Sequence, residues 1–195
     1  MVESPHRIHL ARNPVRGRPG LFLDRDGTLI EDPGYVSNPA DVRLIPGVAR
    51  ALNKFHAIGF ALVVVTNQSG IGRGLYGWRD YDAVAKRVSA LFSGEGVEFD
   101  AVLACGHSPE TDPACGWRKP APGMIEEAAG LLDLDLSRSL LVGDKLSDLQ
   151  AAEAAGLPRA IHVASGQGAA ARPEVMRWQP SMAIDLIDDL SALSP

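Results

Sequence analysis

Leu21-Phe22-Leu23-Asp24-Arg25-Asp26-Gly27-Thr28 is an apolar run that ends in two aspartates one residue apart. The run reads as a short buried strand, and Gly27 breaks it. Side chains at i and i+2 of a strand share a side, so Asp24 and Asp26 converge as the chain leaves the sheet. Two neighbouring carboxylates repel each other unless a cation, a shared proton or hydrogen bonds hold them. A strand-end turn with Asp as turn former would use the same residues. Three further segments favour a site instead.

Phe60-Ala61-Leu62-Val63-Val64-Val65-Thr66-Asn67-Gln68-Ser69-Gly70 is a continuous apolar run that turns polar at Thr66, as expected of a strand buried on both faces of a parallel sheet. Arg118-Lys119-Pro120-Ala121-Pro122-Gly123-Met124 sets two cations before a proline-marked helix start. Leu140-Leu141-Val142-Gly143-Asp144-Lys145-Leu146-Ser147-Asp148 again runs an apolar strand into acids. Ligands of open α/β sheets bind beyond the carboxyl ends of the strands, where all four segments place their polar residues. In chain order the residues are acid, hydroxyl, cation, acid.

The remaining pattern predicts an α/β protein, a three-layer, Rossmann-like, mostly parallel sheet with helices on both faces. Helices are expected within 42–58, 79–92, 123–132 and 149–155, strands at 99–104, 139–142 and 159–163, and a terminal helix over 184–193. Residues 1–20, with Arg7, Arg12, Arg16 and Arg18 among prolines, read as an N-terminal tail, and 21–195 as one domain. The loop 105–119 has no periodicity and is long enough to suggest function or mobility.

Hydrophobic residues make up 46% of the 195 and charged ones 22%, ordinary globular proportions for a soluble chain. A formal net charge of -5 argues against a nucleic-acid partner, although a local basic pocket for phosphate fits within an acidic whole. No apolar stretch approaches the length of a transmembrane helix, and the first twenty residues lack the apolar core of a signal peptide. The expectation is therefore a cytoplasmic monomer with no membrane partner. Two cysteines, Cys105 and Cys115, exclude a disulfide-dense scaffold.

These four ordered segments, with Asp32-Pro33-Gly34-Tyr35, resemble the haloacid dehalogenase superfamily of phosphatases, in the branch that holds heptose 1,7-bisphosphate phosphatase and the histidinol-phosphate phosphatase domain. The resemblance spans nearly the whole chain from Leu21 to about Leu190. It implies a magnesium-dependent phosphomonoester hydrolase without a large cap domain, acting on a small phosphorylated sugar such as the 7-phosphate of D-glycero-D-manno-heptose 1,7-bisphosphate. Histidinol phosphate is the alternative substrate, and a phosphate-binding regulatory protein without turnover the alternative class.

The same resemblance implies roles. Asp24 would be the nucleophile and Asp26 the general acid and base. Thr66 and Lys119 would hold the transferring phosphoryl oxygens. Magnesium would sit on Asp24, the backbone carbonyl of Asp26 and Asp144, with Asp148 either orienting Lys119 or a metal-bound water, or capping the following helix. Substrate-binding candidates are Asp32, Pro33, Gly34, Tyr35, Asn67, Gln68, Ser69, Arg118 and Lys145, a surface cation being the alternative for Lys145. Arg25, between the two acids, is expected to point away from them into a structural ion pair.

Cys105-Gly106-His107 and Cys115-Gly116-Trp117 match a zinc loop of that branch, except that Trp117 stands where a fourth cysteine is expected. Cys105, His107 and Cys115 leave a structural zinc site one ligand short. Water, Asp112 or Glu110 would fill the gap, or a buried Trp117 would hold the loop by packing without metal.

Overall fold

Leu21 and Leu23 face one core and Phe22 the other, the period-two alternation of a strand covered on both sides. In the computed structural model, which describes residues 4–10 and 15–193, this strand lies at the centre of the sheet. The strands are β1 (His6–Leu10), β2 (Gly20–Leu23), β3 (Ala61–Asn67), β4 (Ala101–Cys105), β5 (Leu140–Gly143), β6 (Arg159–Val163) and β7 (Ala183–Ile187). Their order is β1-β4-β3-β2-β5-β6-β7, and every neighbouring pair is parallel except β1 on β4.

Helices α1 (Val48–Ala57) and α3 (Trp78–Gly94) cover one face through Val48, Leu52, Phe55, Val84, Val88 and Phe92. Helices α4 (Gly123–Leu132), α5 (Leu146–Ala154) and α6 (Gly168–Arg177) cover the other through residues such as Met124, Ala128, Leu149 and Val175. The short α2 (Ser69–Gly72) follows β3 directly. From β2 the chain first builds outward through β3 and β4, then crosses back to lay β5 on the opposite side. That reversal opens a crevice at the carboxyl ends of β2, β3 and β5. No inserted domain covers it among the described residues, and no helix is long and apolar enough to cross a membrane.

Two expectations are corrected. Residues 1–20 do not read throughout as a tail, because His6–Leu10 pairs in register with β4 as an antiparallel edge strand. The alternation of His6, Ile8 and Leu10 carries that signal, diluted by the flanking arginines and prolines. Arg12 belongs to residues 11–14, outside the described part. The terminal helix is instead β7 followed by a single 3-10 turn at Leu190–Ala192. Apolar residues at 184, 187, 190 and 193 mimic helical spacing, but β6 offers an open edge whose main-chain groups pair with Ala183–Ile187. α6 escapes sequence reading because Gly168 opens it and Pro173 lies inside it.

Candidate active site

The crevice is floored by acids held in place by one buried cation. The Asp24 backbone N–H donates to the Val142 carbonyl at 3.0 Å, extending the β2–β5 ladder and fixing the aspartate just past the strand end. Lys119 Nζ donates to Asp24 Oδ1 at 2.6 Å and to the Val65 carbonyl at 2.7 Å, and pairs with Asp148 Oδ1 at 2.7 Å. Burial opposes the ammonium charge, but the carboxylates of Asp148 and Asp24 outweigh it and hold the Lys119 pKa above its ordinary value. Asn67 fixes the same lysine from behind: its side chain accepts from the Lys119 N–H at 3.1 Å and donates to the Lys119 carbonyl at 2.9 Å.

Asp148 is the third residue of α5, not its cap. Its Oδ2 accepts from the Lys145 N–H at 2.9 Å, while Oδ1 meets Lys119. One carboxylate therefore closes the helix start and orients the lysine. Asp144, fully buried, takes the Gln167 N–H on Oδ2 at 2.8 Å and leaves Oδ1 buried without a hydrogen bond. Burial, then the charges of Asp24 and Asp148, pushes the Asp144 carboxyl up to about 7. Carboxylate oxygens of Asp24, Asp144 and Asp148 lie within 4.8 Å of one another. A crowded, partly unsatisfied oxygen set of this kind suits a small hard cation.

The loop after β2 approaches this floor closely enough to demand glycine. Gly27 has φ +87°, and a Cβ there would stand 2.4 Å from Asp144 Oδ2. Arg25 overturns its expected orientation. It forks onto Asp26, Nε to Oδ1 at 3.0 Å and Nη2 to Oδ2 at 2.9 Å, and is itself 2% exposed. The Asp26 side chain accordingly lies outside the three-carboxylate cluster. Gln68 spends its whole amide on the interior: Nε2 donates to Asp26 Oδ2 and Thr66 Oγ1, and Oε1 accepts from Arg25 and Tyr76.

Above the floor lies a cavity of about 270 Å³. Asp26, Asp32, Gly34, Tyr35, Asn67, Gln68, Ser69, Arg118 and Lys145 line it. Pro33 does not, and faces a separate outer groove with Asp41 and Arg43. Val36, Tyr76, Ser147 and Gln167, which no sequence motif marks, line the cavity as well. Gln167 sits in the unpredicted approach to α6, so its contact with Asp32 Oδ2 at 3.1 Å had no motif to announce it. Lys145 Nζ lies 3.9 Å from Asp32 and 3.7 Å from Asp144, facing the site and not the bulk surface. Arg118 is anchored by Nη1 to the His107 carbonyl at 2.9 Å.

The geometry agrees with relatedness in sequence. A family model for HAD-like hydrolases matches residues 116–192. A D-glycero-β-D-manno-heptose-1,7-bisphosphate 7-phosphatase of Mesorhizobium japonicum is 46% identical over 180 residues, covering 90% of this chain and 79% of that protein. The chain belongs to the haloacid dehalogenase-like phosphatases. The Escherichia coli K12 phosphatase of the same name is 40% identical over 76% of this chain and 81% of its own. Among solved structures of this family, a HAD-like phosphatase from Mesorhizobium loti superposes with a TM-score of 0.84 at 41% identity, covering 98% of this chain and 90% of that one. The D,D-heptose 1,7-bisphosphate phosphatase of B. bronchiseptica, complexed with magnesium and phosphate, gives 0.79 at 32% identity, with 89% and 94% covered.

Proposed function

We propose that this phosphatase removes the 7-phosphate of D-glycero-β-D-manno-heptose 1,7-bisphosphate. The observation that carries the reading is the cluster of Asp24, Asp144 and Asp148, joined through Lys145 to a small polar cavity that presents two cations, Arg118 and Lys145. The cavity's volume is below the roughly 300–1,000 Å³ of sites for drug-sized ligands, as suits a small polar metabolite. Relatives 38–46% identical bear the name of this reaction.

Asp24 attacks phosphorus, the bond to the sugar oxygen breaks, and the phosphoryl group passes to the aspartate. Lys119 and Thr66 stabilise the phosphoryl oxygens, and the fixed ammonium costs no reorganisation at that moment. Asp26 gives its proton to the leaving alkoxide and later takes one from the water that cleaves the aspartyl-phosphate. The fork from Arg25 orients the Asp26 carboxyl for that exchange. Arg118 and Lys145 bind the distal end of the substrate. Asp24, Asp144 and the Asp26 carbonyl would hold magnesium, which when bound neutralises the repulsion between Asp24 and an incoming phosphate. Cys105, His107 and Cys115 would hold a structural zinc that stiffens the loop delivering Arg118 and Lys119.

Phosphate release from both heptose bisphosphate anomers and histidinol phosphate, with magnesium and with chelator, tests the reading. The expected kcat/KM for the β-heptose bisphosphate exceeds that for histidinol phosphate by about 100-fold or more, the scale set by leaving a polar pocket unpaired. Equal turnover of the two would reassign the substrate, and phosphate binding without release would reassign the class.

Asp144 makes the magnesium reading testable by pH. Its raised value means the folded state binds the proton more tightly than the unfolded one. The metal-free protein therefore loses stability as pH rises from about 4 through about 7. Magnesium must displace that proton. Proton and metal compete for Asp144, so the magnesium Kd is expected to be weaker at pH 6 than at pH 8. Calorimetric titration at the two pH values measures this, and an unchanged Kd would remove Asp144 as a ligand.

A further inference from the structure

His6 and Cys105 are register partners in the antiparallel ladder of β1 on β4. A slip of one residue would turn His6 to the opposite face, so strand pairing itself delivers the imidazole to the cysteine loop. Nε2 of His6 lies 3.7 Å from Cys115 Sγ, and the Cys105 and Cys115 sulfurs lie 3.6 Å apart as free thiols. One donor atom from each of His6, Cys105, His107 and Cys115 lies within 4.8 Å of the other three. With Zn–S about 2.3 Å and Zn–N about 2.0–2.1 Å, a tetrahedron has edges of about 3.8 Å between sulfurs and about 3.6 Å between sulfur and nitrogen. The two observed edges, 3.6 Å and 3.7 Å, lie close to those lengths.

We propose that His6 is the fourth ligand of a closed Cys2His2 zinc site, in place of the cysteine that Trp117 replaces, and that the metal staples edge strand β1 to the loop carrying Arg118 and Lys119. The proposal rests on the zinc reading of the loop and adds a ligand from a distant part of the chain. Trp117 keeps a role, because its ring stacks on His6 at 4.3 Å between centroids and 15° between planes, which sets the imidazole plane. The other fourth-ligand candidates are otherwise engaged. Glu110 pairs with Arg73 at 3.0 Å, and Asp112 lies 3.4 Å from His107 Nδ1, which is buried without a hydrogen bond. A carboxylate beside a ligating histidine is the usual outer support of a zinc site. On binding, the two thiols release their protons to solvent.

The strand needs such a staple. Of its five residues none is buried, and Ile8 and Leu10 are 40% and 46% exposed. The test uses the full chain, with zinc content after dialysis, zinc affinity by chelator competition, and the absorption spectrum of the cobalt(II) form. The wild type is expected to hold one zinc per chain and to give a tetrahedral cobalt spectrum with two thiolates. His6→Ala is expected to weaken zinc about 100-fold or more. His6→Cys is expected to restore binding and raise the thiolate-to-cobalt band by about half, three thiolates replacing two. His9→Ala, further along the same strand, leaves affinity and spectrum unchanged and controls for loss of the strand. A His6→Ala protein with wild-type affinity and spectrum would overturn His6 as ligand while the three-residue loop site stood. A wild type that takes up neither zinc nor cobalt would overturn both.

Discussion

Asp24→Asn is expected to lower phosphate release by about 10⁴-fold or more while the protein still folds. The amide is nearly isosteric with the carboxylate and its oxygen still accepts from Lys119, so the floor of the crevice keeps its shape. What is lost is the anionic nucleophile, and Asp148 and Asp26 are already committed to other partners. Asp148 is bound to Lys119 and the Lys145 N–H, and Asp26 to Arg25 and Gln68. Single-turnover assays with circular dichroism as the folding control measure this. Turnover within tenfold of wild type would exclude Asp24 as the attacking group and, with it, the aspartyl-phosphate route.

Lys119→Met is expected to cost both activity and stability. The ammonium is 3% exposed and touches two carboxylates and a carbonyl, so its removal strands buried negative charge beside the already crowded Asp144. Breaking a buried pair in this way costs about 3–5 kcal/mol, which for a chain of this length lowers Tm by roughly 10 °C. Losing a fixed positive charge beside the phosphoryl group lowers kcat by about 10²–10³ on its own. The two losses separate in the double variant with Asp148→Asn, which is expected to regain part of the Tm and none of the kcat. Lys119→Arg tests shape: a planar fork cannot reach three acceptors arranged around a point charge, so activity is expected to stay low. A Lys119→Met protein with wild-type Tm would show that the carboxylates find another counter-charge.

The central sheet and the acid cluster at its carboxyl edge are legible because three buried strands each run into a polar residue at the carboxyl end, a pattern that burial on both faces imposes on composition. The misreadings have a common physical source. β1, β7 and α6 lie at the margins of the sheet, where one covered face relaxes the hydrophobic pattern and pairing is decided by which edge is open. Strand alternation points Arg25 away from the acids, but the chain has already left the ladder there: Gly27, Thr28, Leu29 and Ile30 fold back, the last three donating to the Arg25 carbonyl. His6 could be found only through register, a property of two strands and not of either alone. Asn67 and Gln68 were anticipated at the mouth and do line it, but their amides are spent on Lys119, Asp26 and Thr66, contacts no motif distinguishes from substrate binding.

Gly27 and Gly166 meet back to back beneath Asp144. A Cβ at 166 would stand 2.3 Å from the Gly27 Cα and 2.6 Å from Asp144 Oδ2. Any side chain at these two positions would collide with the Gly27 backbone or the Asp144 carboxylate, whereas Tyr35, 43% exposed, and Gln167 border the opening. A change of side chain at the rim can therefore alter which metabolite fits without moving the acids beneath.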